Sequence, residues 1–301
     1  MTRLLLFESK ALSFRFNQMA SATCCPVVGN SYEYPPYSDL KPFTTTLVGV
    51  LNTEDLNLRE LLYQVPITNI DFTLKEGKKV KIDVLAEPGD IVSAKMKVDS
   101  VKVVRGIDTG TAAFNNCVAV TMTVPDEHGQ SEKYLSYKQF RGKFQTTGSR
   151  TKEHTLAAWN SMYNKMQKMT NLGLTPDQLT GLKIVDLRYE MVDISFPLNY
   201  KVNRDMLRAA AVQCKNRGFH IIWEPGVHSN GVLVKYPLTP FDGVITRKKK
   251  KGMPVCVTFI VFSTGNCIVS GPNPEATEKA YDLFQRMMID MRPVVEWRPK
   301  I

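Results

Sequence analysis

The chain is 301 residues long, 43% apolar, and carries a formal charge of +10. That is enough apolar content for a sizeable core, in one large domain or two ordinary ones, and the basic excess favours a polyanionic partner because lysine and arginine near phosphates release counterions. No apolar run reaches the roughly 18 residues of a membrane span, and Leu4-Leu5-Leu6-Phe7 is too short for a secretory leader, so an intracellular protein without membrane contact is expected.

Residues 1–41 carry no sustained period and end in Tyr32-Glu33-Tyr34-Pro35-Pro36-Tyr37, which predicts a flexible extension. Thr44 to Val50 is strand-like, and Asn57 to Gln64 is a short helix with Leu58, Leu61 and Leu62 inward. From about 75 to 112 the chain alternates through Lys78-Lys79-Val80-Lys81 and Lys95-Met96-Lys97, as an added basic β-hairpin does. Further strands lead to Gly142, and a helix is expected from Thr151 to about Met169, with Leu156, Trp159, Tyr163 and Met166 on its core face.

The order then recurs. Ile184 to Phe196 is a strand, and Asn203 to Cys214 a helix with Met206, Leu207, Ala210 and Cys214 inward. A Lys-rich loop, about 237–252, contains Lys248, Lys249, Lys250 and Lys251. Asn273 as N-cap, Pro274 at the first helical position and Glu275 in the first turn open a last helix to about Met291.

The recurrence has a motif. Gly142-Lys-Phe-Gln-Thr-Thr-Gly148 and Gly265-Asn-Cys-Ile-Val-Ser-Gly271 each lie between a strand and a helix. The reading is therefore α+β, two tandem β-α-β-β-β-β-α pseudo-repeats, at 42–172 and 180–301, sharing an antiparallel sheet with helices on one side. The run Val255-Cys-Val-Thr-Phe-Ile-Val-Phe262 lacks apolar–polar alternation, so both of its faces need cover and the helices supply only one.

Six cysteines without a Cys-x-x-Cys pair and four scattered histidines predict neither a metal site nor a disulfide framework, and no cofactor is expected. The chain has no P-loop, G-x-S-x-G, H-E-x-x-H or dinucleotide fingerprint, and the reading is a non-enzyme.

From about Phe43 to Trp297 the order and motifs resemble the TATA-binding protein family. The most specific pieces are Val261-Phe262-Ser-Thr-Gly265 running on to Gly271, Asp193-Ile-Ser-Phe-Pro197, Trp223-Glu224-Pro225 ahead of Gly231-Val-Leu-Val-Lys235, and Thr46-Leu-Val-Gly-Val-Leu-Asn52. The resemblance implies a curved saddle with helices on its convex face. It also implies a general transcription initiation factor that grips A·T-rich promoter DNA in the minor groove and recruits a transcription-factor-IIB-like factor and RNA polymerase. Such a protein would work in the nucleus, or in a cytoplasmic viral factory or virion if it belongs to a TATA-binding-like branch of large DNA viruses.

Carried over residue by residue, the resemblance makes Phe262 a wedge between base steps and Ile260 its apolar neighbour. It makes Ile268, Ser270, Leu47 and Thr147 floor positions, and Lys235, Lys143 and Arg150 phosphate contacts, with Phe140 one residue from a wedge. Lys248 to Lys251 would reach peripheral phosphates. The remaining wedges align with Cys117, Gln139 and Ser229, and the family's central asparagines with Thr45 and Leu187. Those departures carry an alternative, a saddle that serves as a protein-interaction platform in transcription with weak or non-bending DNA contact.

Overall fold

A computed structural model describes residues 34–70, 86–108, 112–125, 128–222, 231–239 and 254–298. The chain divides into units Met1–Tyr34 and Pro35–Ile301, and the fold is that of the second. It is mixed α+β, with an 11-stranded antiparallel open sheet.

In chain order the elements are β1 (Pro42–Leu51), α1 (Leu58–Gln64), β2 (Ile91–Val98), β3 (Val101–Gly106), β4 (Val118–Pro125), β5 (Ser131–Gln139), β6 (Lys143–Ser149) and α2 (Lys152–Met166). There follow α3 (Pro176–Thr180), β7 (Ile184–Pro197), α4 (Arg204–Ala209), α5 (Ala211–Asn216), β8 (His220–Ile222), β9 (Val232–Pro237), β10 (Cys256–Val261), β11 (Asn266–Gly271) and α6 (Pro274–Val295). Across the sheet the strands run β3-β2-β4-β5-β6-β1-β7-β11-β10-β9-β8. Outward from the central β1–β7 pair, the strand before each long helix comes next on both sides. The first half carries one strand more.

That extra strand comes from the expected insertion. The hairpin forms as β2 and β3, narrower than 75–112, and its loop residues Asp99 and Ser100 have φ of 50° and 68°. Left-handed backbone at both loop positions gives a turn whose twist matches the strands. Lys95 and Lys97 lie in β2, whereas Lys78 to Lys81 lie outside the described residues. The helix expected over 203–214 is instead two short ones, α4 and α5, broken at Ala210, whose ψ of 11° departs from helical values.

The last helix begins at the cap expected for it, and Thr151 caps α2 in the same way. Asn273 accepts from the Ala276 N–H at 2.8 Å, and Thr151 from that of His154 at 3.3 Å, each satisfying a donor the helix leaves open. Their apolar faces close on one side of the sheet through aromatic stacks. Phe144 of β6 lies between Tyr137, at 5.4 Å, and Trp159 of α2, at 5.0 Å. Phe259 of β10 stacks on Phe284 of α6 at 4.1 Å. Gly49 is required where β1 passes this stack, since a Cβ there would overlap the Phe144 ring.

Paired residues of adjacent strands point to the same side of a sheet, so the register divides each strand between the helix side and the open side. Burial alternates accordingly. In β10 and β11 the helix-side Val257, Phe259, Val261, Cys267 and Val269 are fully buried, while the residues between them are half-buried or exposed.

Candidate nucleic-acid interface

On the open side, the second half of the sheet presents its side chains in rows. Ile268, Ile260, Leu233 and Ile222 are successive register partners across β11, β10, β9 and β8. With strands about 4.8 Å apart this is a continuous aliphatic ridge. None of the four is buried. Beyond it, at the turn from β10 to β11, stands Phe262, half-buried, its N–H donating to the Asn266 carbonyl at 3.0 Å. Gly231 makes room beside it, because a Cβ there would press on the Ile260 methyl and come within 3.5 Å of the Phe262 ring.

The next row inward is polar. Thr44, Asp193, Ser270, Thr258, Lys235 and His220 pair in succession from β1 to β8. Burial raises the carboxyl pKa of Asp193, and a hydrogen bond with Ser270 offsets this in part. Its Oδ1 is buried without a hydrogen-bond partner among the described residues.

The first half differs in chemistry. One row holds hydroxyls, Thr46, Thr147, Ser136, Thr121 and Ser93, with Thr46 donating to Thr147 at 3.3 Å. The adjacent row runs Arg188, Val48, Gln145, Lys138, Ala119 and Lys95. At its central end a groove of about 290 Å³ is bordered by Phe140, Lys143, Gln145 and Glu190, and the Lys143 ammonium lies 5.3 Å from the centre of the Phe140 ring. Arg188 bonds Asp186 at 2.8 Å and Glu190 at 3.4 Å. The central strand thus brings carboxylates to this face, a feature the sequence reading did not single out, although the alternation of Asp186, Arg188 and Glu190 along one face of β7 was available to it.

Of the expected site residues, Phe262, Ile260, Ile268, Ser270, Lys235, Thr147 and Lys143 are on the open side. Phe140 borders it, and Arg150 is exposed just before α2. Leu47 is corrected: it is 0% exposed and faces the helices, paired with Thr146, whose hydroxyl bonds Thr155 of α2 at 2.7 Å. β1 alternates without interruption, so Leu47 shares the helix side with Thr45, Gly49 and Leu51; the register shift beside Thr46 is taken up by an extra residue, Gly148, in β6. Thr46 and Val48 take the open positions instead.

Thr45 and Leu187 also belong to the helix side: Thr45 bonds the Ser149 carbonyl at 3.0 Å, and Leu187 packs against the core. Cys117 and Gln139 are buried. Lys248 to Lys251, Ser229 and Trp223 lie outside the described residues. Among the described residues no group of His, Cys, Asp or Glu could hold a metal ion, and no helix is long and apolar enough to cross a membrane.

No protein-family model and no curated protein matches the chain. Among solved structures it is similar to Methanococcus jannaschii TBP, at 12% sequence identity and a TM-score of 0.44, the match covering 84% of this chain and 98% of that one.

Proposed function

We propose that the open face of the sheet binds the minor groove of A·T-rich duplex DNA and that the chain is a non-catalytic transcription initiation factor, built from two diverged copies of one unit in a saddle of the TATA-binding-protein type. The observation that carries this reading is the aliphatic ridge Ile268-Ile260-Leu233-Ile222, half-buried except for the exposed Ile222, with Phe262 at its border. A solvent-accessible apolar strip this long on a basic protein calls for cover. The floor of the minor groove at A·T pairs, which lacks the guanine amino group, is a cover of matching chemistry.

The polar rows support the same partner. Hydroxyls such as Ser270 and Thr147 can donate to adenine N3 and thymine O2, the acceptors that A·T pairs present there. Lys235, Lys143, Lys138 and Arg150 border the face and are suited to the phosphates on either side. Recruitment of a transcription-factor-IIB-like factor and RNA polymerase follows from the family resemblance and belongs to the proposal.

Electrophoretic mobility shift at low salt tests it. The chain binds an A·T-rich duplex, and Phe262→Ala weakens binding about 10- to 100-fold, the value of roughly 1–3 kcal/mol for an aromatic ring stacked on a base. An unchanged affinity in the variant removes the wedge.

The carboxylates of β7 favour a second reading, in which the face is a platform for a protein partner and DNA is held weakly and straight. Asp186, Glu190 and Asp193 would each stand near a bound duplex, and Arg188 offsets only the first two. A duplex with donor and acceptor dyes at its ends separates the two readings: a rise in energy transfer on binding marks bending.

A further inference from the structure

We propose that the two halves of the face read different base pairs: the second admits only A·T, and the first also accepts a G·C pair, whose guanine amino group Gln145 receives. This rests on the DNA-binding reading above and names the specificity within it.

Counting outward from the central β1–β7 pair, β6 and β11, β5 and β10, and β4 and β9 hold matching places in the sheet. The turns match as well. The Phe140 N–H donates to the Lys143 carbonyl at 2.8 Å and the Phe262 N–H to the Asn266 carbonyl at 3.0 Å, so an aromatic ring borders the face at each end. With the glycines of Gly142 to Gly148 set against those of Gly265 to Gly271, Gln145 stands where Ile268 does. Register carries the comparison outward: Gln145, Lys138 and Ala119 pair in succession, as Ile268, Ile260 and Leu233 do. The ends are alike, and the rows beside them are not.

The difference falls on the one donor of the minor groove. Every base pair presents acceptors there, and only guanine adds an amino group. Against Ile268, Ile260 and Leu233 that group would lose its water and gain no acceptor, a penalty of the size of a mismatched pair. Gln145 offers an acceptor. It is half-buried, and its amide nitrogen donates to the Thr147 hydroxyl at 3.4 Å, which leaves the amide oxygen to accept. It lines the groove of about 290 Å³ together with Phe140, Lys143 and Glu190, whose carboxylate is a second acceptor. Opposite an A·T pair the same amide can turn its NH₂ to adenine N3 or thymine O2, so the first half tolerates both kinds of pair.

Because the ends are alike, the chain can turn end for end on a duplex, and the test uses that freedom. A·T-rich duplexes carry a G·C pair on one side of the centre, on the other, or on both, at successive symmetric spacings, and affinity is read by fluorescence anisotropy at low salt. At the spacing that meets Gln145, either singly substituted duplex binds within about threefold of the A·T duplex, since the chain places the G·C pair under its first half. The doubly substituted duplex loses roughly tenfold, and inosine in place of either guanine restores it. Gln145→Ile makes both halves aliphatic. It holds the A·T duplex within about threefold of wild type, and each singly substituted duplex falls roughly tenfold. A tenfold loss from one G·C pair at every spacing in wild type, or no added loss from two at any spacing, overturns the inference while leaving A·T binding intact. So does inosine that fails to restore binding, or a Gln145→Ile chain that still accepts the single G·C pair. The wild-type series decides even where the variant does not fold. Failure of the wild-type chain to bind the A·T duplex at low salt overturns the parent reading and this one with it.

Discussion

Asp193 is the residue whose ionised carboxylate opposes folding and, on the DNA-binding reading, binding as well. Its carboxyl sits in the row that holds Ser270 and Lys235, and burial raises its pKa. The proton is therefore held more tightly in the folded chain than in the unfolded one. Its contribution to stability is fully present below the ordinary carboxylate range, near 3.9, and is lost as pH rises through the raised value. On the DNA-binding reading the charge also repels the duplex. Asp193→Asn is then expected to raise the midpoint of thermal unfolding at pH 7 and to tighten DNA binding, and the wild-type affinity to rise as pH falls through the raised pKa while the variant stays flat. Parallel pH profiles for the two proteins count against that role. Tyr37 gives the corresponding signal at alkaline pH. Burial first, and Glu278 next, push its hydroxyl up to about 12, so the stability it contributes is present below pH 10 and lost as pH rises towards that value. Tyr37→Phe is expected to unfold at higher pH than the wild type, read by circular dichroism.

At the scale of elements, β1 carries the largest difference between sequence and structure. Its apolar residues Leu47, Val48, Val50 and Leu51 occur in pairs, so residue type alone left the parity open, and the pairing of Leu47 with Thr146 and of Gly49 with Phe144 on the helix side decided it. Leu47→Ala is expected to cost about 2–5 kcal/mol by chemical denaturation, as for a fully buried leucine, whereas Val48→Ala costs much less. An equal cost at both positions contradicts the assigned faces. The second half was far more legible. The Gly265 to Gly271 motif, the Asn273 cap and Pro274 located β11 and α6 because turn and cap residues act locally. Asn273→Ala is expected to lower stability by about 1 kcal/mol through loss of its bond to Ala276. The burial of Ser93, Lys95, Ala119 and Thr123 on the open side of β2 and β4 was not legible, because it depends on contacts between segments distant in sequence. The breaking of residues 203–214 into α4 and α5 was equally hidden, since Ala210 is an ordinary helix former.

For the whole molecule, one sheet with helices on a single side leaves an open face whose halves differ. The second offers aliphatic side chains and Phe262, and the first hydroxyls, lysines and Phe140. On the DNA-binding reading, the formal charge of +10 steers a polyanion towards the protein and the chemistry of the rows selects the groove and the base composition. The central claim is that this face reads the minor groove. Competition binding, followed by fluorescence anisotropy with matched A·T, I·C and G·C duplexes, tests it most directly, because inosine removes the guanine amino group from the minor groove and leaves the major-groove pattern of a G·C pair. I·C is expected to compete as well as A·T, and G·C at least tenfold less. Equal competition by I·C and G·C, or no binding to any of the three at low salt, contradicts it.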